Sequence, residues 1–97
     1  MAHFLVEYAE LGHATARDEK RGEHIAYRKG LGSAMALAGP LLDDGNKAIG
    51  SVVILEADDE AAAEKLALAD PYIAADVLEL VSVRRYRIAA MKPPESA

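Results

Sequence analysis

The segment "IGSVVILEA", residues 49 to 57, is apolar on both of the faces that a strand would present. Successive side chains of a strand point to opposite faces, so Gly50, Val52 and Ile54 fall on one side and Ser51, Val53 and Leu55 on the other. "HFLVEYA", residues 3 to 9, behaves alike, with Leu5 opposite Phe4 and Val6. Strands of this kind are covered on both faces. The fold must therefore supply two layers of cover, and a chain of 97 residues has few elements with which to do it.

The remaining segments supply two helices. The first is expected to start with Thr15 as its N-cap and to run to about Ser33, with Gly30 and Gly32 weakening its last turns. "AMALAGPLL" (34 to 42) reads as a second strand, and Pro40, which has no N–H to donate, confines it to a sheet edge. "DDGN" is a turn in which Asp44-Gly45 suits positive φ angles. "DDEAAAEKLALA" is a helix capped by Asp58 or Asp59, and "LELVSVRRYRI" is a last strand.

The order βαββαβ predicts an α+β, ferredoxin-like layer, a four-stranded antiparallel sheet with both helices on one face. Two helices cover only that face. A second sheet, most simply from an identical subunit, is expected to cover the other, giving a homodimer or a higher oligomer built from it. A chain this short buries about 60 to 68 % of its unfolded surface alone, so the partner's contribution matters. One domain is expected over residues 1–90. Residues 91–97, "MKPPESA", have two prolines and little to bury, and read as a C-terminal tail ordered only by contact with something else.

Composition narrows the function by exclusion. The absence of cysteine removes disulfides, thiol catalysis and cysteine-ligated metals, and fits a cytoplasmic location. With 11 basic against 16 acidic residues the net charge is −5, which weakens binding to phosphate backbones, so no nucleic acid partner is expected. There is no run of about 18 uncharged apolar residues and no basic N-terminal region leading into an apolar one, so no membrane association or processing is expected. His3, His13 and His24 lack the close pairing of a zinc-binding helix, and neither a metal nor a cofactor is expected.

Two features of the chain concern chemistry. At 100° per residue, Arg17, His24, Arg28, Leu31 and Met35 fall on one stripe of the long helix, with Lys20, Arg21 and Tyr27 at its margins. His24 lies where that stripe changes from cationic to apolar, as at the rim of a cleft, although a packed histidine beside an apolar stripe has the same pattern. "ADPYIAAD" (69 to 76) breaks an alanine-rich helix with Asp70 and Pro71. Proline disfavours helical geometry in the residue before it. Asp70 is thereby turned out of the helix, either to cap the next turn or to reach a partner at the rim, with Tyr72 walling the pocket.

In this order, "RDEKRGEH" with Arg17 and His24, "LAGPLL", "IGSVVILEA", "DPYIAADV" and "LVSVRRYR" resemble the YciI-like, or YCII-related, family from Phe4 to about Arg87. The resemblance implies a dimeric α+β barrel over the domain at 1–90, and a candidate catalytic dyad of His24 and Asp70. A carboxylate beside an imidazole fixes which ring nitrogen carries the proton, so the pair can act as general acid or base. Ser51 and Tyr72 would line the pocket, and Arg17 or Arg28 could hold an anionic group of a small-molecule ligand. The compact loop "DDGNKAIG" departs from a region that varies in the family, so the pocket's shape does not carry over. Related dimeric barrels include muconolactone isomerases and a chlorohydroquinone dehydrochlorinase, an analogy that points to lyase or isomerase chemistry on a small cyclic or aromatic molecule. A non-catalytic binding or sensing dimer, and a purely structural dimerisation module, are the alternatives.

Overall fold

The computed structural model describes residues 1–91, so the expected tail lies, from residue 92 onward, outside the described residues. Strand β1 (Ala2–Glu10) leads through Gly12, whose φ is +80°, into helix α1 (Ala14–Gly30). A single 3-10 turn, Gly32–Ala34, then passes the chain to β2 (Met35–Leu42), β3 (Ala48–Ala57), α2 (Glu60–Leu68), the one-turn helix α3 (Pro71–Ala74) and β4 (Leu78–Tyr86). The sheet has the order β2-β3-β1-β4, and all three pairings are antiparallel. This is the ferredoxin-like layer expected from the sequence, with α3 as an added turn between α2 and β4.

Local expectations meet the structure unevenly. Thr15 is not the cap of α1. The residue at that position is His13, which makes no side-chain capping bond, and Thr15 lies inside the first turn. The helix also stops at Gly30 rather than near Ser33, because Gly32 adopts a φ of +57° that an L side chain resists. In the β2–β3 connection the positive φ belongs to Asn46, at +66°, and not to Asp44-Gly45; the Asp43 carboxylate organises the turn by accepting from the N–H groups of Gly45 and Lys47. Of the two candidate caps for α2, Asp59 accepts from the N–H of Ala62 at 2.8 Å.

The core lies between the sheet and the helices. Phe4, Val6 and Tyr8 of β1 alternate onto the same face as Val53, Leu55 and Ala57 of β3, and they pack with Ala63 and Ala67 of α2, Tyr72 of α3 and Val77. On the opposite face stand Leu5, Val52 and Ile54, with Leu37 and Leu41 of the edge strand β2 beside them. Leu37 is 57 % exposed there. The open face is not uniformly apolar: Glu7, Glu56 and Arg84 share it. Among the described residues no helix is long and apolar enough to cross a membrane.

Candidate functional site

Helix α1 differs from α2 in what it turns toward the sheet. None of its residues is fully buried, and the stripe that faces inward carries Arg17, His24 and Arg28 in place of aliphatic side chains. Charged groups do not close-pack against a sheet as leucines do, and a cavity of about 260 Å³ remains. These three side chains line it together with Glu10 of β1, Ser51 of β3 and Tyr72 of α3, and Gly39 and Gly50 are among the residues that make up the rest of the wall.

Asp70 sits behind His24, and its position follows from the residue after it. Pro71 opens α3, so Asp70 is held extended, with φ −61° and ψ 127°, as the N-cap of that turn. Its Oδ1 accepts from the N–H of Tyr72 at 3.0 Å. The same carboxylate meets His24 Nδ1 at 2.8 and 2.9 Å and accepts from Arg28 Nε at 2.8 Å. Capping and reaching a partner, the two alternatives for this residue, occur at once. Asp70 is 1 % exposed. Burial pushes its carboxyl up, but hydrogen bonds from His24, from the Tyr72 N–H and from Arg28, with the attraction of His24 added, outweigh burial and hold it below its ordinary value. An ionised carboxylate only accepts. His24 Nδ1 therefore donates, and Nε2, on a ring that lines the cavity, has no protein partner among the described residues.

The other expected residues divide by what they touch. Tyr72 lines the cavity and also contacts His24: the rings stack with centroids 3.9 Å apart and planes 7° from parallel, and the phenol donates to the Arg17 carbonyl at 3.2 Å. Ser51 Oγ reaches the Gly39 carbonyl at 3.4 Å across the β2–β3 pair. Arg28 is committed to Asp70, its guanidinium lies 5.4 Å over the Tyr8 ring, and its Nη2 is buried without a hydrogen-bond partner. Arg28 thus stands in contact with the carboxylate, so a charge count of the site must include it. Tyr8 donates to the Ala67 carbonyl at 2.8 Å; burial pushes its phenol far up, with Asp70 and Tyr27 adding to the shift and Arg28 opposing it. Tyr27 ties α1 to the end of α2 through the Leu66 carbonyl at 2.7 Å, and burial raises its phenol as well.

One lining residue escaped the sequence reading. Glu10 forms an ion pair with Arg17 and faces the cavity. Its signal was the strand period: Phe4, Val6 and Tyr8 alternate onto the covered face, and one more step lands on Glu10 once β1 is extended past Ala9. No group of His, Asp and Glu suited to a metal ion occurs among the described residues.

Residues 1–87 match the YCII-related domain family. Among solved structures, the chain is similar to 5-chloro-2-hydroxyhydroquinone dehydrochlorinase from Burkholderia phenoliruptrix AC1100 in complex with 2,5-dihydroxybenzoquinone. The TM-score is 0.71 at 23 % sequence identity, covering 90 % of this chain and 94 % of that one. The two share a fold. A search of curated proteins found no match.

Proposed function

The chain belongs to the YCII-related domain family, and from that premise and the cavity's geometry we propose acid–base chemistry, of lyase or isomerase type, on a small cyclic or aromatic molecule. His24 moves the proton and Asp70 orients it. The observation that carries this is the division of the imidazole: Nδ1 is held by both Asp70 oxygens, at 2.8 and 2.9 Å, while Nε2 is left to the cavity. The volume suits a single substituted ring, since a cavity of about 150 Å³ already accepts benzene and this one has about 260 Å³.

In such a step the Nε2 lone pair takes a proton from a hydroxyl or carbon of the ring. The electron pair released expels a leaving group as its anion, or, in an isomerisation, shifts a double bond and collects a proton at another carbon. The imidazolium formed is stabilised at Nδ1–H by the Asp70 carboxylate, and the Tyr72 stack keeps the ring in one plane. The dehydrochlorinase, whose structure contains a dihydroxybenzoquinone, supplies the analogy for the elimination.

The unit that does this is proposed to be a homodimer closed through the open face of the sheet. Leu5, Leu37 and Val52 on that face support it, because burying such a side chain contributes about 1.5–3 kcal/mol before association costs. The competing structural role is favoured by the cap that Asp70 gives α3.

The test is turnover of a panel of hydroxylated rings, chlorinated members included, followed by ring absorbance and chloride release. His24→Gln should lose about 10²–10⁴-fold of the wild-type rate, the usual scale of general acid–base catalysis. Absence of turnover across the panel, or equal rates in the two proteins, would reject the catalytic role.

A further inference from the structure

The cavity contains two guanidinium groups, and neither is free. Arg28 donates to Asp70 and Arg17 pairs with Glu10. With His24 neutral, the two arginines and two carboxylates of the cluster sum to zero charge. An entering carboxylate would find each guanidinium already ion-paired, with only donors such as the buried, unpartnered Nη2 of Arg28 left over, and it would approach Glu10, which lines the cavity. Glu10 Oε2 is the atom that engages Arg17, while Oε1 has no protein partner among the described residues. That oxygen accepts and cannot donate.

Taking the cavity as the ligand site, as proposed above, we infer that Glu10 sets the ligand class. It is the internal counter-ion of Arg17 and offers an acceptor to a ligand hydroxyl, so the cavity takes a ring bearing hydroxyl donors and rejects the same ring bearing a carboxylate. The assignment revises the expectation that Arg17 holds an anionic group of the ligand: Glu10 fills that role from within the chain. Selectivity of this kind comes from an unfavourable element as much as a favourable one. The like charge of Glu10 acts against the carboxylate, and its lone pairs act for the hydroxyl.

Hydroquinone and 4-hydroxybenzoate form a matched pair of probes, one ring with a hydroxyl exchanged for a carboxylate. Their dissociation constants can be read from amide shifts of the cavity residues in proton–nitrogen NMR titrations at neutral pH. Wild type should bind hydroquinone more tightly, by about tenfold, the scale of one charge-assisted hydrogen bond. Glu10→Gln keeps the side chain's size, removes the charge and releases Arg17, so 4-hydroxybenzoate should gain about tenfold while hydroquinone does not gain. In Glu10→Gln/Arg17→Met the gain should vanish, which assigns it to the freed guanidinium and not to a loosened fold; thermal unfolding of each variant checks the latter. Tighter binding of 4-hydroxybenzoate by wild type, or an equal change for both probes in Glu10→Gln, overturns the inference while leaving the cavity a ligand site. Failure of both probes to shift any cavity resonance in any of the proteins overturns the ligand site itself, and this inference with it.

Discussion

Replacing Asp70 by Asn removes one charge and almost no volume, and the structure sets what should follow. The carboxylate is 1 % exposed and is shared by His24, Arg28 and the Tyr72 N–H. Asparagine still offers an oxygen to the Tyr72 N–H, so the cap of α3 survives. Arg28, only 12 % exposed at its side chain, loses its counter-ion. Breaking a buried ion pair from one side costs about 3–5 kcal/mol; the Tyr8 ring beneath the guanidinium is there in both proteins and cancels from the difference. A loss of about 3–5 kcal/mol is expected, each kcal/mol lowering Tm by roughly 4–8 °C for a domain of this size. Urea unfolding of both proteins at one protomer concentration measures it. Sign and pH window follow from the depressed carboxyl: a folded value below the unfolded one, near 3.8, gives stability that is present above that value and lost as pH falls through the folded one. The gap between wild type and Asp70→Asn should therefore be full at neutral pH and close in strong acid. A gap under about 0.5 kcal/mol at neutral pH, the range of an ordinary surface change, or a gap indifferent to acid, would refute the account of the cluster.

Three further outcomes are expected. Tyr72→Phe keeps the stack on His24 and should cost about 0.5–1.5 kcal/mol for the lost bond to the Arg17 carbonyl, whereas Tyr72→Leu should cost more and broaden the His24 ring resonances; identical unfolding curves for the two variants would contradict this. Gly50→Ala would set a Cβ 2.5 Å from the Tyr8 carbonyl oxygen, a backbone atom that cannot swing away, so a loss of about 1–3 kcal/mol is expected from thermal unfolding. Sedimentation at micromolar concentration should show a dimer for wild type and a 10.3 kDa monomer for Val52→Asp, which charges the open face; Val53→Asp should instead unfold the core, and a wild-type monomer would end the dimer proposal.

Much of the fold was legible because it rests on short-range signals. The two-sided pattern of β3, the proline in β2 and the aspartate before α2 each act within a few residues, and each appears where the chain implied. The ends of α1 differ from the expected ones for the converse reason. Thr15 is a good capping residue by type, but the Arg17 N–H already bonds the His13 carbonyl at 3.0 Å, so the first turn closes around an earlier residue. In the site, the stripe of Arg17, His24 and Arg28 could be read from helix period alone. Its pairing could not: Glu10 meets Arg17 across the end of a strand, and Arg28 meets Asp70 across 42 residues of chain. No periodicity reports contacts of that separation.

Arg28 follows His24 by one helical turn, so a carboxylate brought by α3 to the imidazole also comes within reach of the guanidinium. The cluster is therefore not a bare pair. Asp70 is already neutralised by Arg28, and when His24 takes up a proton the site as a whole becomes a cation. In the proposed step a neutral hydroxyl-bearing ring that gives its proton to Nε2 becomes an anion at the same moment, so the charge separated stays within one close ion pair. A ring that carried a carboxylate on entry would bring a second negative charge beside Glu10, where both guanidinium groups already have a carboxylate partner. On the reading proposed above, the counter-ion of Arg17 and the counter-ion of His24 thus favour the same ligand: one uncharged ring, acidic at a hydroxyl, small enough for about 260 Å³.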